Sequence, residues 1–196
     1  MTEAPPFQNP LSGRHVVLGV TGSIAAYKAA TIASALTRQG ALVDVVMTPE
    51  ATELVMPLTF EALTHRPVAT KMFSLLGGSE IAHVVLARSA DVFVVAPATA
   101  HTIAKLALGL ADDLVSATAL STGAPCVLAP AMETGMWQHP ATQEHVETLR
   151  QRGWIVVAPE SGHLASGAVG EGRMAAPEKI VGAIRSVARG ISDRGR

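Results

Sequence analysis

The stretch HVVLGVTGSIAAYKAA, residues 15–30, joins an apolar run to a segment of small residues through a short turn at Gly22. His15–Val20 is almost wholly apolar, which is typical of a strand in a parallel sheet covered on both faces. The segment after the turn predicts a helix from Ser23 to Gln39. A strand, a tight turn and a helix in this order indicate the first half of a βαβ unit.

The same alternation of strand-like and helix-like segments continues along the chain. It predicts an α/β fold, a doubly wound parallel sheet in a three-layer αβα arrangement. We expect residues 1–14 to be a disordered leader, residues 15–188 a single domain and residues 189–196 a tail. The further predicted strands are Leu42–Met47, Val92–Ala96, Cys126–Ala129 and Trp154–Val157, and the further helices are Leu58–Leu63, Ile81–Arg88, Ile103–Leu108, Leu114–Leu120, Thr142–Arg152 and Glu178–Ala188, with a loop at Gly77 and Gly78.

Composition narrows the class of protein. Apolar residues make up 48% of the 196 and charged residues 16%, with a formal net charge of −1, so nothing favours a nucleic-acid partner. The apolar runs are too short to span a membrane, and a single cysteine, Cys126, excludes an internal disulfide, which fits a cytoplasmic protein. The seven histidines show no metal-binding spacing, so we expect no metal. A weakly charged, apolar chain also fits a subunit that buries surface against copies of itself.

Hydroxyl side chains follow three of the predicted strands, each where a helix begins. Ligands of doubly wound sheets bind beyond the carboxyl ends of the strands, so these loops are the candidate binding loops. Each hydroxyl alone is more often a helix N-cap, but together they indicate a cradle for a phosphate group. No GxGxxG, Walker A or GxSxG motif accompanies them, which argues against a dinucleotide, ATP or serine-hydrolase site. The hydroxyl residues are Ser23, Thr48, Thr99 and Thr102.

Two later segments also follow strands. PAMETGMW, residues 130–137, places Glu133 among two methionines and a tryptophan, an unusual setting for a carboxylate. The glycine-rich stretch Pro159–Ala176 predicts a mobile flap, in which Arg173 is a candidate for holding an anionic group.

Five motifs occur in one order between His15 and Val187: GVTGSIAAYKA, APATAHTIAK, GLADDL, PAMETGMW and GEGRM. In sequence and spacing, this set resembles the homo-oligomeric flavin-containing cysteine decarboxylases. That family includes phosphopantothenoylcysteine decarboxylases of coenzyme A synthesis and peptidyl-cysteine decarboxylases of lanthipeptide-type maturation. The resemblance implies a flavodoxin-like sheet, bound FMN, and a homotrimer or a dodecamer built from trimers, with the flavin at the subunit interface.

The resemblance also implies roles for individual residues. His83 matches the family's active-site histidine, a base or proton shuttle, and Glu133 and His101 occupy two further catalytic positions. The positions that match FMN contacts are Gly22, Ser23, Ile24, Thr48, Ala98, Thr99, Thr102, Ala131 and Met132. The positions expected at the substrate are Met136, Trp137, Ser166 and Arg173.

Three residues depart from the pattern that the resemblance implies. Glu133 and His101 both stand where the family has asparagine, and the asparagine at the first position resembles a clamp for the substrate carboxylate. Glu133 is then protonated, because burial raises a carboxyl pKa, or paired with His101, or the mark of a site that has lost its activity. Retention of His83 argues against lost activity. Ser166 stands where the coenzyme A enzymes have a flap cysteine.

The function implied by the resemblance depends on Ser166. In the family, flavin oxidises the substrate's cysteine side chain to a thioaldehyde, which accepts the electrons released with CO₂ and leaves an aminoenethiolate. The coenzyme A enzymes then reduce this product with a proton from the flap cysteine, and a serine hydroxyl is a far weaker acid. We therefore expect oxidative decarboxylation of the C-terminal cysteine of a precursor peptide, with release of an aminoenethiol for an aminovinyl-cysteine ring.

Two alternatives stand beside that expectation. The first is phosphopantothenoylcysteine decarboxylation in coenzyme A synthesis, and the second is a non-catalytic flavoprotein that regulates a partner. The chain ends at Arg196 without the synthetase domain that many bacterial coenzyme A enzymes carry, which weighs slightly against the first.

Overall fold

A five-stranded parallel sheet forms the centre of the protein, and the computed structural model describes residues 9–73, 75–76 and 80–194. Its strands are β1 (His15–Val20), β2 (Leu42–Met47), β5 (Val92–Ala98), β6 (Cys126–Pro130) and β7 (Ile155–Val156), in the order β2-β1-β5-β6-β7. The chain runs from β1 outward to β2 and then crosses to β5 on the other side. This is the flavodoxin-like order, and its topological switch point lies between β1 and β5.

Helices cover both faces of the sheet, as the uninterrupted apolar strands predict. Alternate residues of β1 enter two separate cores: Leu18 packs with Ile32 and Ile184 on one face, and Val17 packs with Phe93 on the other. The predicted three-layer α/β fold is therefore confirmed. The helices are α1 (Ala26–Arg38), α2 (Pro49–Thr52), α3 (Pro57–Thr64), α4 (Ala82–Ser89), α5 (Ala100–Leu108), α6 (Leu114–Ser121), α7 (Thr134–Trp137), α8 (Pro140–Gln151) and α9 (Pro177–Arg194).

Two antiparallel hairpins stand outside the main sheet. The first pairs β3 (Leu75–Leu76) with β4 (Glu80–Ile81), and the second pairs β8 (Glu160–His163) with β9 (Val169–Arg173). The second, which we call the flap hairpin, occupies the stretch predicted as a glycine-rich loop. A tight turn closes it, with the Leu164 amide donating to the Ala168 carbonyl at 2.8 Å.

The packed part of the chain extends beyond the predicted domain at both ends. Residues 9–14 were assigned to a leader, yet Leu11 is fully buried, and the Asn9 side-chain amide donates to the Gln39 carbonyl at 2.7 Å. At the other end, α9 continues to Arg194, into the predicted tail. Residues 1–8 and 195–196, and the predicted loop at Gly77 and Gly78, lie outside the described residues.

Candidate functional site

The loops after β1, β2 and β5 meet at one edge of the sheet, and a buried hydroxyl connects two of them. Thr21 Oγ1 donates to the Pro97 carbonyl at 2.8 Å and accepts from the Thr99 amide at 3.1 Å. The Thr48 amide donates to the Val20 carbonyl at 3.0 Å, which holds the third loop in place. The predicted hydroxyl loops therefore do converge.

Two of the three threonines of the predicted cradle, Thr48 and Thr99, cap a helix, and the third, Thr102, lies inside α5. Thr48 Oγ1 accepts from the Ala51 amide at 3.4 Å, and Thr99 Oγ1 accepts from the Thr102 amide at 3.2 Å and lies 3.0 Å from Thr102 Oγ1. A hydroxyl that accepts one hydrogen bond still carries its own proton to donate. The capping role and an anion-binding role are therefore compatible.

A cavity of about 670 Å³ opens beside this edge. One wall is the start of α1, a second is the loop after β6, and a third is the flap hairpin. Six predicted residues line it, namely Ser23, Ile24, Ala131, Met132, Glu133 and Arg173. Its remaining lining residues are Ala25, Tyr27, Lys28, His163, Leu164, Ala165, Gly172 and Met174.

Two predicted cofactor positions lie just behind this cavity. Gly22 packs against Glu50, since a Cβ at Gly22 would lie 2.5 Å from the Glu50 Cβ atom. Ala98 is fully buried at the end of β5, and its carbonyl accepts from the Ala131 amide at 3.0 Å. Ala98 thereby holds the first residue of the loop that forms the second wall.

The flap hairpin is fixed to the loop after β6 by close backbone contact. The Met132 amide donates to the Gly172 carbonyl at 2.9 Å. A Cβ at Gly172 would collide with the Met132 carbonyl oxygen, and a Cβ at Gly170 would collide with Thr134 Oγ1. Glycines in the flap therefore serve close approach to the cavity wall, as well as turn formation.

Glu133 is half-buried on the cavity wall and precedes the short helix α7. The predicted pairing with His101 does not form within the subunit. Among the described residues, no hydrogen bond or ion pair joins the two side chains, and exposed His101 instead helps to lower the pKa of Asp112, behind the larger effect of Lys105.

Four other predicted residues do not line the cavity. Ser166 is exposed near the tip of the flap hairpin, where its Oγ accepts from the Ala168 amide at 3.4 Å. Trp137 is buried in one of the two cores, and Met136 is 50% exposed. His83 is half-buried in α4, and its buried Nδ1 has no hydrogen-bond partner among the described residues.

Three residues that were not predicted as site residues also line the cavity, namely Tyr27, Lys28 and His163. Burial lowers the pKa of Lys28, and the nearby Arg173 lowers it further, while Glu160 raises it. A signal was available, because a lysine in the first turn of a helix opposes the helix dipole and so calls for an explanation.

A cavity of this size beside the switch point of a doubly wound sheet is typical of a ligand-binding α/β domain. The chain belongs to the Flavoprotein family, whose model matches residues 6–189. Its curated relatives include the coenzyme A biosynthesis bifunctional protein CoaBC of Bacillus subtilis, 46% identical over 87% of this chain and 42% of the relative. CoaBC of Mycolicibacterium smegmatis is 46% identical over 85% of this chain and 40% of the relative. The chain thus spans about two fifths of the length of these relatives.

Solved structures give the same fold. A cysteine-to-serine mutant of PPC decarboxylase complexed with pantothenoylaminoethenethiol has a TM-score of 0.79 at 31% identity, over 88% of this chain and 97% of that one. The FMN-dependent cysteine decarboxylase SpaF has a TM-score of 0.79 at 34% identity, over 93% of this chain and 99% of that one. Backbone similarity alone does not separate these two proteins.

The expected action on a precursor peptide is wrong, because the curated relatives at 40–46% identity are CoaBC proteins of coenzyme A biosynthesis. That expectation depended on Ser166, which does not line the cavity, although its neighbour Ala165 does. Within the described part of the chain, no helix has the length and apolarity needed to cross a membrane, and no three potential metal ligands cluster.

Proposed function

We propose that this chain is an FMN-dependent decarboxylase of phosphopantothenoylcysteine, corresponding to part of a CoaBC protein. The observation that carries the proposal is the 46% identity to CoaBC over 87% of the chain. The PPC decarboxylase structure with its pantothenoyl ligand agrees with it. The first alternative from sequence analysis thus replaces the peptide hypothesis.

FMN is the cofactor, and the residues present fit it. The cavity of about 670 Å³ lies in the usual range for such ligands. The Thr48 hydroxyl and one hydroxyl of the Thr99–Thr102 pair keep a proton that they can donate to a phosphate. Ser23, whose Oγ accepts from the Ala25 amide, keeps its hydroxyl proton as well. Ala131 and Met132 offer an apolar wall to a flat ring. When bound, FMN supplies the electron acceptor that a cysteine side chain lacks.

Glu133 is the polar group of this chain best placed to act on the reacting cysteine. It lines the cavity next to Met132, in the segment that also contacts the flap hairpin. Glu133→Gln keeps the shape but removes the charge, so we expect altered turnover and an altered pH profile with FMN still bound. Parent-like turnover at every pH would exclude Glu133 from the chemistry.

His83 serves as the proton-transfer residue, supplied by a second copy of the chain. It does not line the cavity of its own subunit, and its Nδ1 has no partner among the described residues. Exposed apolar side chains lie near it in sequence, including Phe73 at 86% and Val84 at 42% exposure, and these suit a contact between copies.

Subunit mixing tests this arrangement. In this arrangement, His83 and Arg173 of one active site come from two different copies of the chain. His83→Asn alters the contribution of the first copy, and Arg173→Gln alters that of the second. Refolding the two impaired variants together should give more activity than the average of the two alone, because some interfaces then combine an intact His83 with an intact Arg173. No recovery, with oligomers of normal size by light scattering, would place both residues in one subunit.

A direct assay tests the function itself. Purified protein should carry one flavin per chain, consume phosphopantothenoylcysteine and release CO₂. Cysteine-ended peptides serve as the comparison substrate. Release of CO₂ from the peptides alone, or from neither substrate, would refute the proposal.

A further inference from the structure

Two cationic side chains from distant parts of the chain face the same cavity. Lys28 projects from the first turns of α1, and its Nζ lies 3.5 Å from the Met174 carbonyl. Arg173 ends the flap hairpin, and its side chain lies across Gly162, where an added Cβ would be 3.0 Å from Nη1. Both residues line the cavity.

The two cations destabilise each other in the absence of a ligand. The pKa of Lys28 is lowered by burial and, next, by the positive charge of Arg173. The neighbouring carboxylate of Glu160 relieves this only in part, because it already pairs with Lys179 at 2.8 Å. Two like charges beside one cavity favour an anion between them.

The charged lining of the cavity is otherwise small. Its charged or titratable members are Tyr27, Lys28, Glu133, His163 and Arg173. The threonine hydroxyls proposed for the FMN phosphate do not line this space, and they lie at the tips of β2 and β5. Of the hydroxyl residues proposed for the FMN phosphate, Ser23 alone lines the cavity with the cation pair, so Lys28 and Arg173 are available for a second anion.

Resting on the function proposed above, we infer that Lys28 and Arg173 bind the phosphate of the substrate and select the phosphorylated form. Phosphopantothenoylcysteine carries a phosphate monoester at one end and the reacting cysteine at the other. A lysine supplies a point charge and an arginine a forked donor, a combination suited to a dianion. The flap position of Arg173 lets the substrate phosphate draw the hairpin and α1 together.

The test compares two substrates that differ only in the phosphate, phosphopantothenoylcysteine and pantothenoylcysteine. Parent protein should prefer the phosphorylated form by about 10- to 100-fold in kcat/KM, the range expected for charge-assisted hydrogen bonds. Lys28→Gln and Arg173→Gln should each reduce this preference to about 3-fold or less, mainly through loss on the phosphorylated substrate. The control Arg150→Gln removes an exposed positive charge on α8 that pairs with Glu147, and it should keep the parent preference.

A binding measurement keeps the inference independent of turnover. Inorganic phosphate, titrated into the FMN-loaded protein, should raise the unfolding temperature of the parent and of Arg150→Gln but of neither cavity variant. Affinity for FMN relative to riboflavin should stay the same in all four proteins.

The outcomes separate the two proposals. Equal turnover of both substrates by the parent would overturn the cation-pair inference and leave the decarboxylase proposal standing. No turnover of either substrate would refute the decarboxylase, while the phosphate titration would still support or overturn the cation pair. A loss of FMN-over-riboflavin discrimination in the variants would assign the two cations to the cofactor and overturn the inference.

Discussion

Replacing Gly172 with alanine is expected to detach the flap hairpin from the cavity wall. Gly172 has a φ of +143°, and an added Cβ would collide with the backbone oxygen of Met132. A side chain at such a positive φ costs about 1–3 kcal/mol. Displacement of the backbone also breaks the 2.9 Å hydrogen bond from the Met132 amide, which contributes about 1 kcal/mol. The docked hairpin should therefore lose about 2–4 kcal/mol.

Hydrogen exchange at the Met132 amide measures this loss directly, because its donated bond reports docking. A loss of that size should speed exchange by about 30- to 700-fold, up to the limit set by global unfolding. The matched control is Gly167→Ala at the hairpin turn, where φ is +88° but no atom lies within 4 Å of an added Cβ. That control carries the backbone cost without the collision, so Met132 should exchange as in the parent. Equal exchange in both variants would refute the close-approach argument.

Three further predictions concern single side chains. Thr134→Val should leave the free energy of unfolding unchanged or raise it, because Thr134 Oγ1 is buried without a hydrogen-bond partner among the described residues. Denaturant unfolding measures this free energy, and a loss above about 1 kcal/mol would show that the hydroxyl does have a partner. Cys126, whose pKa burial raises to about 12, should react with iodoacetamide only at the rate of unfolding, and rapid labelling of native protein would contradict its buried position. Lys28→Gln should raise the unfolding temperature of the ligand-free protein at neutral pH. The pKa of Lys28 in the folded protein lies below 10.5, so at lower pH its positive charge destabilises the fold. The increase in unfolding temperature should therefore disappear as the pH rises towards 10.5.

Local sequence pattern was sufficient for the central sheet. Strands β1 and β2 have the predicted bounds, because an apolar run between turn residues has no other stable place in an α/β fold. The flap hairpin was predicted as a loop, since its sequence ESGH and VGEGR contains little β-propensity. Tertiary contact with the loop after β6 stabilises it, and single-sequence patterns do not record such contacts.

The residues of the candidate site also differ in whether local sequence pattern could predict them. Hydroxyl residues at helix starts could be found because capping and phosphate binding use the same geometry, as Thr48 and Thr99 show. The helix position of Lys28 marks it as unusual, but the sequence could not place it in the site, because its neighbour there, Arg173, is far away in sequence. The place of Ser166 could not be predicted, because the turn of the hairpin puts it near the tip, beside the lining residue Ala165.

The cavity walls come from parts of the chain that are far apart in sequence, and this has a consequence for folding. Lys28 and Met174 touch across 146 residues of sequence, so the binding space closes only after almost the whole chain has collapsed. Contacts of such long range form late, because the entropy of closing the loop is lost before they form. A chain emerging from the ribosome would gain its ligand last, and flavin fluorescence during refolding should lag behind the recovery of helical circular dichroism.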